Sequence, residues 1–124
     1  MATILIVDDS NFSRRMMRAI LEPAGHAIHE ASDGLTAIEQ YAVVKPEIVL
    51  LDLTMKGMHG LDVLRKLKSL DSNARVIVAT ADIQTPVQEE AKAAGAVGFL
   101  PKPFKSSEVL AAVTSALAIQ GQCN

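Results

Sequence analysis

The stretch that decides the fold is Ile4-Leu5-Ile6-Val7-Asp8-Asp9, an apolar run of strand length that ends in two carboxylates. A second such run, Ile48-Val49-Leu50-Leu51-Asp52, ends in a third carboxylate. Two further apolar runs lead to Thr80 and to Lys102. Ligands of open parallel α/β sheets bind at the carboxyl ends of the strands. The sequence therefore predicts that these carboxylates, a hydroxyl and an ammonium meet at one edge of a sheet.

Segments with helical periodicity separate the apolar runs. The periodicity and the capping residues predict helices starting near Ser10 or Asn11, Ser32 or Asp33, Leu61, Thr85 and Ser106, and strands at residues 4–7, 27–31, 47–52, 75–80 and 98–100. Strands joined by helices imply right-handed crossovers and a parallel sheet covered on both faces. We predict an α/β, flavodoxin-like, doubly wound (βα)5 three-layer sandwich whose five-stranded parallel sheet has the order 2-1-3-4-5.

Helix faces and ends follow from the same pattern. In the first helix, Phe12, Met16 and Ile20, with Met17 and Leu21, recur at a spacing of four and predict one buried stripe. In the second helix the apolar positions are Leu35, Ile38 and Ala42, and in the last helix Gly121 is the expected end.

Composition and charge exclude several classes of protein. We expect the 124 residues to form one domain, residues 1–124, and their apolar share of 49% indicates a globular chain. A net charge of −2 gives no electrostatic basis for binding nucleic acid or an anionic membrane. No secretory signal or membrane-length apolar run is visible, and the lone Cys123 excludes an intrachain disulfide or a cysteine metal site. We expect a cytoplasmic monomer.

The carboxylates Asp8, Asp9 and Asp52 predict a metal site. Three carboxylates in one place repel one another unless some are protonated or a cation neutralises them. Hard oxygen ligands suit Mg²⁺ or Mn²⁺, and the absence of Cys and His at the strand ends argues against zinc. The alternative is that the first two merely cap the first helix, which explains one aspartate well and two less well.

Lys102 and Thr80 each have an ordinary alternative. Lys102 lies between two prolines just after a buried strand, which restricts the backbone and favours a fixed ammonium over a solvated surface lysine. Thr80 is a typical β-branched strand residue. Because the small Ala81 follows it at the end of a strand, it is also a plausible hydroxyl donor to an anion.

Together these residues resemble the receiver domain of two-component response regulators, over essentially the whole chain. The elements that carry the resemblance are Ile6-Val7-Asp8-Asp9-Ser10, Leu50-Leu51-Asp52-Leu53, Gly60, Thr80-Ala81 and Lys102-Pro103-Phe104. The opening segment, residues 7–16, is similar to that of stand-alone CheY-like chemotaxis regulators.

The resemblance implies a role for each site residue. Asp52 is the expected phosphoacceptor, and Asp9, Asp8 through water, and the backbone carbonyl of Thr54 are expected to join it in holding Mg²⁺. Thr80 and Lys102 are expected to contact the phosphoryl group beside the small Ala81, and Phe99 occupies the place of the family's switch aromatic.

The chain departs from the family pattern in the loops beside the site. Lys56, followed by Gly57, stands where many receivers have proline. Thr54 and Asp82 occupy the two positions that, in the family, influence how water reaches the phosphoryl group.

The implied function is a signalling switch that is phosphorylated by a sensor histidine kinase and then acts on a protein target, such as a flagellar motor switch or a phosphatase. It would not be a turnover enzyme on an external substrate. We expect no output domain after the fifth helix, and the opening segment favours chemotaxis over a phosphorelay. Two other classes of protein fit the sequence less well. A haloacid dehalogenase-type phosphohydrolase would want aspartate rather than Thr54, and a flavin binder would want more aromatics than this chain has.

Overall fold

The computed structural model of the protein describes residues 2–53, 60–80, 85–102 and 104–118. Strands and helices alternate along the chain. They are β1 (Thr3–Val7), α1 (Asn11–Leu21), β2 (Ala27–Ala31), α2 (Gly34–Val44), β3 (Ile48–Asp52), α3 (Gly60–Leu70), β4 (Val76–Thr80), α4 (Thr85–Ala93), β5 (Gly98–Pro101) and α5 (Ser106–Leu117). Each predicted element is present, with strand ends within one residue of the expected ones.

The strands form one parallel sheet in the order β2-β1-β3-β4-β5, as predicted. Every residue of β3 and β4 is buried, which is typical of central strands with both faces covered. β2 alternates between exposed and half-buried residues before the buried Ala31, and it lies at one edge of the sheet, where its polar residues can face water.

Two apolar clusters cover the two faces of the sheet and complete the three layers. One cluster joins the sheet to α1 and α5 through Met17, Leu21, Val109, Val113 and Ala116. The other cluster joins it to α2, α3 and α4 and includes Ala37, Tyr41, Leu64, Leu67 and Ala91. Burying a large apolar side chain contributes about 1.5–3 kcal/mol, so these clusters are the main source of stability.

The predicted faces of the first two helices are partly wrong. Met17 and Leu21 are buried, but Phe12 is 70% exposed. Five residues separate Phe12 from Met17, about 140° around the helix axis, so the two cannot share one narrow face. In α2, Leu35 is 65% exposed and Ala42 is exposed, because the inward face is formed by Ala37 and Tyr41.

Side chains cap the first two helices. The hydroxyl of Ser10 accepts a hydrogen bond from the Ser13 amide, and the carboxylate of Asp33 accepts one from the Thr36 amide. α5 begins at Ser106 as expected and ends at Leu117, and the predicted end at Gly121 lies outside the described residues. In the part of the chain that the structure describes, no helix is long and apolar enough to cross a membrane.

Candidate functional site

Three carboxylates converge at the carboxyl edge of the sheet. Asp8 and Asp9 directly follow β1, and Asp52 is the last residue of β3. One carboxylate oxygen from each lies within 4.8 Å of the others. Asp8 is 3% exposed and Asp52 is 2% exposed, whereas Asp9 faces solvent. The cluster is therefore largely buried but open on one side.

Strand register explains why the two buried carboxylates meet. β1 and β3 are neighbours, and Val7 pairs with Leu51, so the next residues of the two strands lie side by side. Ile6 and Leu50 belong to the cluster under α1 and α5. Because side chains alternate along a strand, Asp8 and Asp52 follow on that same side of the sheet.

Lys102 closes the carboxylate cluster from β5. Its Nζ lies 3.3 Å from Oδ2 of Asp8 and 3.4 Å from Oδ1 of Asp52, and its side chain is 21% exposed. The Phe104 ring lies 5.8 Å from the ammonium, within the range of a cation–π contact. The same ammonium therefore bridges two carboxylates, which confirms the prediction of a fixed lysine at this edge of the sheet.

The cluster holds more carboxylates than ammonium groups, and this imbalance affects the pKa of Asp8. Burial of Asp8 favours its neutral form and, with the neighbouring charge of Asp52, raises its pKa. The Ser10 amide and the Lys102 ammonium act in the opposite direction without cancelling the increase. One ammonium thus faces three carboxylates, and a further cation would be favoured here.

The donor set fits a hard divalent cation. All three side chains of the cluster offer carboxylate oxygen, and it includes no histidine or cysteine. Mg²⁺ is commonly bound by a few carboxylates together with water, and Mn²⁺ accepts similar ligands. Helix capping does not account for these aspartates, because Ser10 holds the capping position of α1. Asp8 accepts the Ser10 amide through its carboxylate, at 2.9 Å.

Thr80 and Phe99 lie on the opposite face of the sheet from Lys102. Thr80 pairs with Pro101 and Val78 pairs with Phe99, so Thr80 and Phe99 are diagonal neighbours on one face. Thr80 is buried, whereas Phe99 is half-buried. Both line a groove of about 450 Å³ together with Gln88, Leu100 and Pro101.

Several predicted site positions lie outside the described residues. These are Thr54 with its backbone carbonyl, Lys56, Gly57, Ala81, Asp82 and Pro103. Their expected roles in metal binding, phosphoryl access and water access stay predictions.

Gly60, the first residue of α3, has a steric reason to be glycine. A Cβ at this position would lie 2.4 Å from Cα of Leu53 and 2.7 Å from the carbonyl oxygen of Asp52. The start of α3 therefore packs directly on the backbone that presents the Asp52 carboxylate. The close approach permits no side chain without displacement of that backbone.

One contributor to the site was missed in the sequence. Arg14 donates through Nη1 to the backbone carbonyl of Asp8 and through Nε to the Glu30 carboxylate at 2.9 Å. Its position one helical turn after Ser10 is compatible with reaching the start of α1, but the contact with Glu30 depends on tertiary packing.

Comparison with known proteins identifies the class to which this fold and site belong. The family model of the response regulator receiver domain matches residues 4–114. The chain belongs to this family.

Relatives of known name share most of this chain. The chemotaxis protein CheY of Thermotoga maritima is 41% identical over 111 residues, which are 89% of this chain and 92% of the relative. Sporulation initiation phosphotransferase F of Bacillus subtilis is 34% identical over 117 residues, 94% of each chain. A chain of the CheX-CheY-BeF3-Mg+2 complex from Borrelia burgdorferi superposes with a TM-score of 0.89 at 33% identity, covering 94% of this chain and 90% of that one. The protein is thus a two-component receiver with CheY proteins among its relatives.

Proposed function

We propose that the chain is a phosphorylation-dependent signalling switch in which Asp52 accepts a phosphoryl group from a phosphohistidine of a sensor kinase. The observation that carries this proposal is the surroundings of Asp52. Its carboxylate is buried, has the Lys102 ammonium at 3.4 Å, and lies within 4.8 Å of oxygens from Asp8 and Asp9. A buried nucleophile with a cation beside it suits phosphoryl transfer, where catalysis is mainly positioning and charge stabilisation.

Asp8, Asp9 and Asp52 would hold Mg²⁺, or Mn²⁺, together with the backbone carbonyl of Thr54. When bound, the metal would offset negative charge on the phosphoryl oxygens. The solvent-exposed Asp9 lies on the open side of the cluster, from which a hydrated cation can enter.

The chemical step uses residues that the fold holds at the sheet edge. A carboxylate oxygen of Asp52 attacks phosphorus, a phosphorus–oxygen bond forms, and the phosphorus–nitrogen bond to the donor imidazole breaks. The imidazole nitrogen keeps the bonding electron pair and takes a proton from water. Lys102 then pairs with an oxygen of the transferred group, because its ammonium is already within 3.4 Å of the nucleophile.

The structural response passes through Thr80 and Phe99. The Thr80 hydroxyl would bond to the new phosphoryl group, next to Ala81, and draw the end of β4 towards Asp52. The groove that Thr80 and Phe99 share offers space into which the aromatic ring can turn. The surface of α4, β5 and α5 would change as a result. Phosphorylation would bias a two-state equilibrium rather than build a new fold.

The partners follow from the relatives. Similarity to the CheY of Thermotoga maritima favours chemotaxis, with a chemotaxis-type sensor kinase as donor and a flagellar motor switch or a phosphatase as target. The chain would act as a single-domain, cytoplasmic monomer, without binding nucleic acid or turning over an external substrate. Similarity to sporulation initiation phosphotransferase F favours a second candidate, an intermediate in a phosphorelay. Thr54 and Asp82 would tune the lifetime of the phosphorylated form.

Phosphorylation from a small donor tests the proposal. Incubation with acetyl phosphate and Mg²⁺ should add one phosphoryl group by intact-mass spectrometry, in an acid-stable and base-labile bond. Asp52→Asn should abolish the adduct, and the matched change Asp62→Asn on the exposed face of α3 should leave it intact. Rapid repeated hydrolysis of acetyl phosphate with no adduct would contradict the proposal and favour an aspartate-dependent phosphohydrolase.

A further inference from the structure

We infer that Arg14 is a positioning residue for the metal site, because its guanidinium fixes the backbone of Asp8 against β2. This inference rests on the proposed function, since it concerns the cation that the three carboxylates would hold. Arg14 does not belong to the carboxylate cluster itself. It acts on the cluster through the main chain that carries one of its members.

The contacts of Arg14 join three segments at one point. Nη1 donates to the carbonyl oxygen of Asp8, Nη2 donates to the side-chain oxygen of Asn11, and Nε donates to Oε1 of Glu30 at 2.9 Å. The Arg14 side chain is only 12% exposed, although it is on a surface helix. The planar guanidinium offers donors in a fixed fork, so satisfying all three acceptors sets their mutual positions.

Asp8 needs such support because it lies past the end of the strand ladder. Its amide donates to Ala31 at 3.1 Å, and the last register pair of β1 with β2 is Val7 with Ala31. The carbonyl of Asp8 accepts instead from Arg14, while its carboxylate is held by the Ser10 amide and by Lys102. A rotation of the peptide group after Asp8 would move the Asp8 carboxylate out of the cluster. The Arg14 hydrogen bond to this carbonyl therefore fixes the position of the carboxylate.

Glu30 holds Arg14 in place and also provides a control. Both oxygens of this β2 carboxylate are taken: Oε1 by Arg14 and Oε2 by Arg18 at 2.7 Å. Arg18 also bonds to Glu22. Within the described residues, Arg18 thus bonds to the same Glu30 carboxylate as Arg14 but not to the carbonyl of Asp8. The two arginines differ in this one contact with the site.

Mg²⁺ affinity distinguishes a positioning role of Arg14 at the metal site from a general contribution of Arg14 to the stability of the fold. Partners that orient metal ligands typically contribute about 10–100-fold in metal affinity. Removing a positive charge near the site should strengthen cation binding through the field alone, so the two effects have opposite signs. Weaker Mg²⁺ binding on loss of Arg14 therefore indicates lost positioning.

The test measures Mg²⁺ binding by calorimetry in the full chain, with thermal unfolding in parallel. Arg14→Met should weaken Mg²⁺ affinity about tenfold, as expected for a lost orienting contact. Arg18→Met should bind Mg²⁺ as tightly as wild type or slightly more tightly. This should hold even if its unfolding temperature falls as much as that of Arg14→Met. Arg14→Lys keeps the charge, but one ammonium cannot replace the fork, and its affinity should lie between wild type and Arg14→Met.

Wild-type Mg²⁺ affinity in either Arg14→Met or Arg14→Lys would overturn the inference, as would equal weakening in Arg18→Met. Both outcomes differ from failure of the proposed function. If wild type itself binds no Mg²⁺ at its carboxylates, the metal site is wrong, whatever the variants do.

Discussion

Replacing Lys102 by methionine should destabilise the protein, because it leaves the buried carboxylates of Asp8 and Asp52 without their ammonium partner. Methionine keeps an unbranched apolar stem near Phe104 but removes the ammonium shared by Asp8 and Asp52. At an effective dielectric constant of about 20, each pair at this separation attracts by about 5 kcal/mol before desolvation is subtracted. Breaking a buried ion pair typically lowers the free energy of unfolding by about 3–5 kcal/mol. Because the Lys102 side chain is 21% exposed, we expect a loss near or below the lower end of this range.

We therefore expect Lys102→Met to lose about 2–3 kcal/mol of unfolding free energy at pH 7 without metal. The loss should shrink as the pH falls. The pKa of Asp8 is already raised by burial, and removal of the ammonium raises it further. A carboxyl group whose pKa is higher in the folded than in the unfolded state binds more protons when folded, so acid stabilises the folded variant.

Denaturant unfolding with and without Mg²⁺ measures both effects. The variant should retain metal binding, and Mg²⁺ should stabilise it more than it stabilises wild type, because no ammonium competes for the carboxylates. Lys66→Met, at an exposed position of α3, should show neither effect. Unchanged stability of Lys102→Met at pH 7, or a smaller Mg²⁺ effect than in wild type, would refute the reasoning.

Two further substitutions test one contact at the site and one contact away from it. Gly60→Ala should cost about 1–3 kcal/mol of stability and slow phosphorylation, because the new methyl group would press on Leu53 and on the backbone of Asp52; a wild-type rate from acetyl phosphate would contradict this. Tyr41→Phe removes the hydrogen bond that Tyr41 donates to Asp71 at 2.8 Å and should cost about 1–2 kcal/mol at pH 7. That bond is the main cause of the lowered pKa of Asp71, so its contribution is present above the ordinary value of 3.8 and is lost as pH falls through the lower folded value. The difference in unfolding free energy between wild type and Tyr41→Phe should therefore be smaller at acid pH than at neutral pH. An equal difference at both pH values would contradict the role of the Tyr41–Asp71 hydrogen bond.

The fold was predictable because it depends on local pattern. Apolar runs separated by helical periodicity fix the alternation of strands and helices, and a parallel sheet places all carboxyl ends at one edge. The convergence of Asp8, Asp9 and Asp52 follows from those two facts alone. The polar sequence of β2 is likewise typical of a strand at an edge of the sheet.

The parts that were missed depend on rotation or on distant partners. The exposure of Phe12 depends on the rotation of α1 about its own axis relative to the sheet, and residue spacing alone does not determine that rotation. The Arg14–Glu30 pair joins residues 16 apart, and the second partner of Lys102 is 94 residues away. No local rule connects such positions before the strands are assembled.

Reductive trapping of the phosphorylated protein tests the central claim most directly. Borohydride converts an aspartyl phosphate to homoserine, and peptide mass spectrometry locates the converted residue. After treatment with a phosphodonor and Mg²⁺, homoserine should be found at position 52 and should disappear when the metal is chelated before the donor is added. Conversion at Asp8 or Asp9 instead, or equal conversion at position 52 without a divalent cation, would contradict the account.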